Sequence, residues 1–175
     1  YPWVGIHYYP IGYVVNPYMH DATDSLAPGT RRHCVGYEGT GSAGSGADTA
    51  TTFTINTNST LTWLWEVQYR FTVINPGGYD TPVPSEGEHW FGEGEEINAY
   101  ISDPDYDTMR CVGYFGTGSV PASGWGSGVT FTILMPSSIQ WRWVGASEAC
   151  QFDVISLHGH PSPPPGVNYI PCGEF

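Results

Sequence analysis

The nine residues CVGYEGTGS at positions 34–42 return almost unchanged as CVGYFGTGS at positions 111–119. The two stretches differ only where Glu38 in the first corresponds to Phe115 in the second. A long identical run at two places in one chain is the signature of an internal repeat, and such a repeat predicts one structural module built twice.

The similarity continues on both sides of this stretch. Residues 7–21 (HYYPIGYVVNPYMHD) align without a gap with residues 89–103 (HWFGEGEEINAYISD). Residues 53–65 (FTINTNSTLTWLW) align in the same way with residues 131–143 (FTILMPSSIQWRW). The repeat therefore covers most of the first 146 residues.

The two copies differ at their beginnings. The second copy opens with residues 69–84 (YRFTVINPGGYDTPVP), for which the first copy has no counterpart. A third opening of this kind, residues 150–165 (CQFDVISLHGHPSPPP), lies near the C-terminus. It is followed by residues 166–173 (GVNYIPCG), which resemble residues 5–12 (GIHYYPIG). The first copy thus lacks an opening strand, and the tail has a spare one.

The pattern of apolar residues predicts strands. Tyr69, Phe71 and Val73 alternate with polar residues, as expected for a strand that is buried on one face. Gly- and Pro-rich clusters separate such segments and are typical of turns. We also expect a short strand near residues 6–9.

These observations predict an all-β fold of two tandem, small β-sandwich-like modules with a C-terminal extension strand. The predicted parts are a first module without its opening strand, a complete second module, and an extension with the third opening strand as a candidate donor strand; they cover residues 1–67, 68–146 and 147–175.

The charge balance excludes several kinds of partner. The formal net charge is −12, and all five basic residues are arginines. Nucleic acids and anionic membranes attract basic surfaces, so we expect neither as a partner. The sequence contains no run of 18 apolar residues, so we do not expect membrane insertion. We find no nucleophile or zinc-protease motif, and therefore expect no enzymatic activity.

The chain contains four cysteines. Cys34 and Cys111 occupy equivalent positions in the two copies, so a bond between them is not expected. Cys150 and Cys172 bracket the tail, and we predict a disulfide between them. Disulfides persist in oxidising compartments, which indicates a mature product that is extracellular or on the cell surface.

Three aspartates alternate in the acidic segment SDPDYDT at residues 102–108. An extended loop can direct Asp103, Asp105 and Asp107 toward one hard cation, which makes calcium a candidate ligand. A solvated acidic loop is the alternative interpretation. The sequence indicates no other cofactor.

Two segments are candidates for contacts between subunits. In the tail strand the candidate interface residues are Phe152, Val154 and Ile155. Alternatively, the N-terminal segment could be the inserted arm, with Trp3, Tyr8 and Tyr9 as its contact residues. Asn58 begins an Asn-Ser-Thr sequon, a candidate glycosylation site.

Taken in order, the motifs also resemble a known family. The pattern G-x-x-x-P-x-P-x-x-G-x-x-x-[aromatic], then Cys-Val-Gly-Tyr-x-Gly-Thr-Gly-Ser, then Val-Thr-Phe-Thr-Ile and Trp-x-Trp resembles the divergent internalin-B-type repeat. The resemblance implies all-β modules that occur in tandem in bacterial surface and secreted proteins. It also implies a non-enzymatic role in spacing or adhesion.

The leading functional hypothesis is a structural subunit of an extracellular fibre or surface filament. Such a subunit would assemble head to tail as a homopolymer, because the spare strand of one copy can complete the first module of the next. One alternative is a glycan-binding or adhesive module whose aromatic residues grip surface glycans. Another is a slice of a tandem-repeat cell-surface adhesin.

Overall fold

A computed structural model describes residues 2–159, 161, 163 and 165–173. The protein is all-β, as predicted; its helical content in this described part is one 3₁₀ turn, Ala146–Glu148. The chain forms two compact units, Tyr1–Gln68 and Tyr69–Phe175. The tail belongs to the second unit.

The first unit contains five strands or parts of strands: β1 (Tyr13–Val15), β2 (Thr23–Ala27), β3 (Thr30–Thr40), β4 (Phe53–Ile55) and residues 60–68 of β5 (Thr60–Ile74). Strands β2, β3 and β5 lie side by side in that order. Strands β1 and β4 pair antiparallel in a separate two-stranded sheet, with Val15 opposite Phe53.

The second unit starts with residues 69–74 of β5 and then forms ten further strands: β6 (Pro82–Val83), β7 (Gly87–Gly92), β8 (Glu96–Ile101), β9 (Asp105–Tyr106), β10 (Met109–Thr117), β11 (Ser123–Trp125), β12 (Gly128–Thr132), β13 (Ser137–Gly145), β14 (Ala149–Val154) and β15 (Gly166–Pro171). One sheet has the order β11-β10-β13-β5, with β7 also paired to β5 and β9 to β10. A second sheet has the order β12-β8-β6, and β14 and β15 form a two-stranded sheet.

The second unit has a closed hydrophobic core. The opening strand contributes Phe71 and Val73, which are exposed by 0% and 2%. The Phe71 ring meets the Phe131 ring edge-on at 5.3 Å between centroids. The remaining core side chains come from both sheets of the sandwich and include Ile97, Ile133, Ile139 and Trp141.

The repeat is present in three dimensions as well as in sequence. Ser42 Oγ accepts a hydrogen bond from Asn56 N at 2.9 Å, and Ser119 Oγ accepts the equivalent bond from Leu134 N at 2.9 Å. The Gly-Thr-Gly-Ser stretches are therefore turns whose own serine binds the segment just after β4 in the first unit and just after β12 in the second.

The predicted disulfide between Cys150 and Cys172 is present. Cys34 and Cys111 are free thiols, and both are buried. Burial raises the pKa of the Cys111 thiol to about 12, although its hydrogen bond to the Gly113 carbonyl acts in the opposite direction. Such a thiol stays protonated and unreactive at neutral pH.

The strand predicted near residues 6–9 is wrong, because β1 is the first strand of the described chain. Its counterpart in the second unit, β7, pairs with β5, and Glu88 of β7 forms an ion pair with Arg70 of the opening strand. No described residue of the first unit forms a strand in the place of the opening strand, so residues 6–9 lack the partner that would make them a strand. None of the described residues forms a helix long and apolar enough to cross a membrane.

Candidate functional site

An apolar cavity of about 440 Å³ opens in the first unit. We call it the first-unit groove, and its floor consists of Val15, Phe53, Ile55, Leu61 and Trp63. These side chains come from β1, β4 and β5, so they join the two sheets of this unit. Except for Val15, each of them is only half-buried.

The same positions are closed in the second unit. The repeat alignment pairs the groove floor with Ile97, Phe131, Ile133, Ile139 and Trp141, whose exposures range from 0% to 7%. Phe71 and Val73 belong to the same core cluster. The groove is therefore the space that an opening strand fills in the complete module.

The strand edge beside the groove is also incomplete. In the second unit the opening strand runs parallel to β13, with Phe71 opposite Ser137 and Ile74 opposite Gln140. The equivalent positions in the first unit are residues 59–62. The sheet neighbours of β5 are β3, β7 and β13, and only β3 belongs to the first unit. Within the described part of that unit, the second edge of residues 60–62 has no strand beside it.

The N-terminal arm, residues 2–9, lines the open side of the groove. It forms no strand, and its side chains Trp3 and Tyr8 are 81% and 93% exposed. Tyr9 is half-buried and stacks on Tyr13, with 5.1 Å between ring centroids. His7 Nε2 hydrogen-bonds the Trp3 carbonyl at 2.6 Å. The arm thus covers the groove without filling it.

The tail of the second unit folds into a hairpin, which we call the tail hairpin: β14, the loop after it, and β15. The strands pair antiparallel over six residue pairs, from Ala149 opposite Pro171 to Val154 opposite Gly166. Their sheet contains these two strands alone among the described residues. One edge of β14 is therefore available to a further strand. Phe152 and Val154 are half-buried on one face of β14, and Ile155 beyond it is 89% exposed.

The tail hairpin repeats the opening hairpin of the second unit. In sequence, Phe152 and Val154 correspond to Phe71 and Val73, and β15 corresponds to β7. In the opening hairpin, Tyr69 Oη donates a hydrogen bond to Glu93 at 3.1 Å. The two equivalent tail positions are Cys150 and Cys172, so a covalent bond replaces that hydrogen bond.

A polar clasp holds β15 against the remainder of the second unit. Arg110 Nη2 lies 2.6 Å from Asp105 Oδ1, and the Arg110 guanidinium stands over the Tyr169 ring at 5.6 Å. Tyr169 Oη donates to Asp105 Oδ2 at 3.1 Å. Burial raises the pKa of Tyr169, and the hydrogen bond to Asp105 raises it further. The tyrosine therefore remains a neutral donor at physiological pH.

The three candidate calcium ligands have separate roles in the structure. Asp105 pairs with Arg110, and Asp103 Oδ1 accepts a hydrogen bond from the Asp105 backbone amide at 3.2 Å. Asp107 lies in a turn, with φ at +50°. No three acidic, His or Cys side chains in the described residues form a group that could hold a metal ion.

Two further surface positions, the predicted glycosylation site Asn58 and the exposed aromatic Trp125, do not line the first-unit groove. Asn58 is exposed in the turn between β4 and β5. Trp125 is 37% exposed, and the Arg142 guanidinium covers its ring at 5.3 Å and that of Phe115 at 4.7 Å. An arginine that lies on both aromatic faces leaves less ring surface for a stacked sugar.

The residues of the groove floor are absent from the interface residues predicted from sequence. Their hydrophobicity alone suggests ordinary core residues. The missing opening strand is the signal that could have found them, since it removes the two side chains that cover the equivalent positions in the second copy.

No family model, curated protein or solved structure matches this chain significantly.

Proposed function

We propose that the protein is the structural subunit of an extracellular filament, and that it assembles head to tail by strand complementation. The first-unit groove receives the tail strand β14 of a second copy. Phe152 and Val154 enter the groove in the way that Phe71 and Val73 fill the core of the second unit. A single observation supports this most directly: a complete module and an incomplete one occur in the same chain, together with the missing element.

The energetics favour such a joint. Phe152 and Val154 are half-buried and the groove floor is partly exposed, so insertion removes apolar surface from water on both sides. Full burial from water contributes about 1.5–3 kcal/mol for each side chain, and insertion gains roughly half of this because both are already half-buried. The strand also adds backbone hydrogen bonds along residues 59–62, as in other cases of strand addition.

The joint leads to an open polymer. Donor and acceptor belong to different units of the chain, so each copy that donates its tail still offers its own groove. A contact between two different surfaces repeats without limit unless the rotation closes a ring. The disulfide between Cys150 and Cys172 is consistent with an oxidising, extracellular environment.

The experiment replaces the two inserted side chains. In Phe152→Asp/Val154→Asp, two carboxylates would have to enter an apolar groove. We therefore expect that this variant, unlike the native protein, forms no filaments. Because both side chains are already half-buried, the apolar contribution lost is roughly half of 1.5–3 kcal/mol for each, which weakens the joint by about tenfold or more before the cost of the carboxylates is added. Negative-stain electron microscopy and sedimentation of equal concentrations measure the outcome.

Gln151→Asp is the matched control. Gln151 lies on the exposed opposite face of the same strand, and its replacement adds one of the same carboxylates without placing it in the groove. The control should polymerise like the native protein. Normal filaments from the double variant would contradict the proposal.

A further inference from the structure

The tail and the N-terminal arm compete for one place in the module. In the second unit β13 pairs with residues 71–74 of β5, and β7, which also pairs with β5, contacts the same segment through the ion pair of Glu88 with Arg70; the opening strand therefore has a neighbour on each edge. Two segments of this chain match β7 in sequence: residues 5–12 in the N-terminal region and residues 166–173 around β15. Only one segment can lie beside the inserted strand at each joint.

We infer that the donated element is the whole tail hairpin, with β15 in the place of β7, and that its arrival expels the N-terminal arm from the groove. This inference rests on the proposed function and specifies the partner segment of the same site. Under it, residues 2–9 are a temporary cover of the groove rather than a strand of the joint.

The connections of β15 support this choice. It pairs with β14 over six residue pairs, and a disulfide ties the ends of the hairpin together. Tyr169 is fixed by Asp105 and lies under the Arg110 guanidinium. To put the arm beside β14 instead, the joint would have to unzip this hairpin.

The arm is held much more weakly. Its residues form no strand, and Trp3, Val4 and Ile6 have exposures of 81%, 104% and 84%. The side chains that line the groove are thus still largely in water. Since the hairpin presents apolar side chains together with a free strand edge, it can displace a segment with so few contacts.

The geometry of β14 is consistent with this arrangement. Because β15 occupies one edge of β14, the other edge is free within the described residues. If β15 takes the place of β7, then the free edge of β14 corresponds to the edge of the opening strand that pairs with β13. It would therefore face residues 59–62, which lack a strand on that side.

Hydrogen–deuterium exchange of assembled and unassembled native protein tests the inference. On assembly, the amides of Ser59 and Leu61 should exchange more slowly by roughly tenfold or more, because they alternate with the Thr60 amide, which bonds Thr40 Oγ1, and so face the edge that gains a strand partner. Amides of β15 should stay protected in both states. Amides of the arm should exchange as fast in filaments as in the free chain.

Slow exchange in the arm together with faster exchange in β15 would overturn the inference, since the arm would then be the neighbouring strand. Failure of the proposed function looks different: filaments would not form, or residues 59–62 would gain no protection. A chain without residues 1–9 gives a second readout. It should assemble at a lower concentration than the native chain, and loss of assembly would also overturn the inference.

Discussion

At the residue scale, the glycines of the repeated Gly-Thr-Gly-Ser turn show why the motif is kept in both copies. Gly41 and Gly118 have φ values of +67° and +68°. A Cβ atom on Gly41 would stand 2.2 Å from the Asn58 carbonyl oxygen, and one on Gly118 would stand 2.3 Å from that of Pro136. Both the backbone conformation and the space require glycine.

We therefore expect Gly118→Ala to destabilise the second unit more than Gly94→Ala. Gly94 also has a positive φ, +83°, but a Cβ atom there would meet nothing within 4 Å. Gly94→Ala is the control, and it should lower the free energy of unfolding by about 1–2 kcal/mol because of the left-handed backbone alone. Gly118→Ala should add about 1–3 kcal/mol for the collision with backbone that cannot move aside.

Chemical denaturation monitored by tryptophan fluorescence measures both free energies of unfolding. Equal losses in the two variants would contradict the assignment of the turn.

The sequence predicted these turns from composition alone, because Gly-rich stretches between apolar segments have few other interpretations. It did not predict the groove floor, because side chains such as Phe53 and Leu61 match the pattern of buried core.

At the element scale, the same strand pattern behaves differently in each context. Residues 87–92 form β7 beside an opening strand, whereas residues 5–10 form none. A sequence pattern predicts which face of a strand is apolar, but the strand also needs a partner for its hydrogen bonds. The error at residues 6–9 therefore has the same cause as the open groove.

The disulfide acts on the tail hairpin as an element. It joins residues separated by 22 positions. For a loop of this length the chain-entropy model predicts that the disulfide stabilises the folded state by about 3 kcal/mol. We expect Cys150→Ser/Cys172→Ser to loosen the hairpin, so that β14 amides exchange roughly a hundredfold faster in the free chain. Assembly should then require a higher protein concentration, because the donor must be ordered as it binds.

The same exchange measurement contains its own control. Amides shared between β10 and β13, which lie in the main sheet of the second unit, should keep their native rates in the serine variant. Unchanged exchange in β14 would mean that strand pairing and the Tyr169 contacts hold the hairpin without the disulfide. A uniform increase would point to general destabilisation instead.

At the scale of the whole molecule, the opening segment of the repeat is matched in the second copy and in the tail, but not in the first copy. The described residues of the chain form a first unit with no strand in the place of the opening strand, a second unit that has one, and a tail hairpin that resembles the opening segment in sequence. The repeat alignment and the apolar pattern were sufficient to predict the all-β fold. They could not show that the groove remains open and that the tail forms a separate hairpin, because both depend on which strands pair.

Two complementary variants test the head-to-tail joint most directly. Phe152→Asp/Val154→Asp has a defective donor and an intact groove, whereas Leu61→Glu has an intact donor and a charged groove floor. The Leu61 side chain borders the open cavity, so the carboxylate can reach water and the first unit can still fold. Each variant alone should therefore remain monomeric.

The decisive measurement is the mass of the equimolar mixture by light scattering after size-exclusion chromatography. The tail of the Leu61→Glu chain can enter the groove of the other variant, but the reverse joint is blocked. We predict a one-to-one heterodimer that grows no further. A mixture that stays monomeric, or a single variant that still polymerises, would contradict strand complementation between the tail and the first-unit groove.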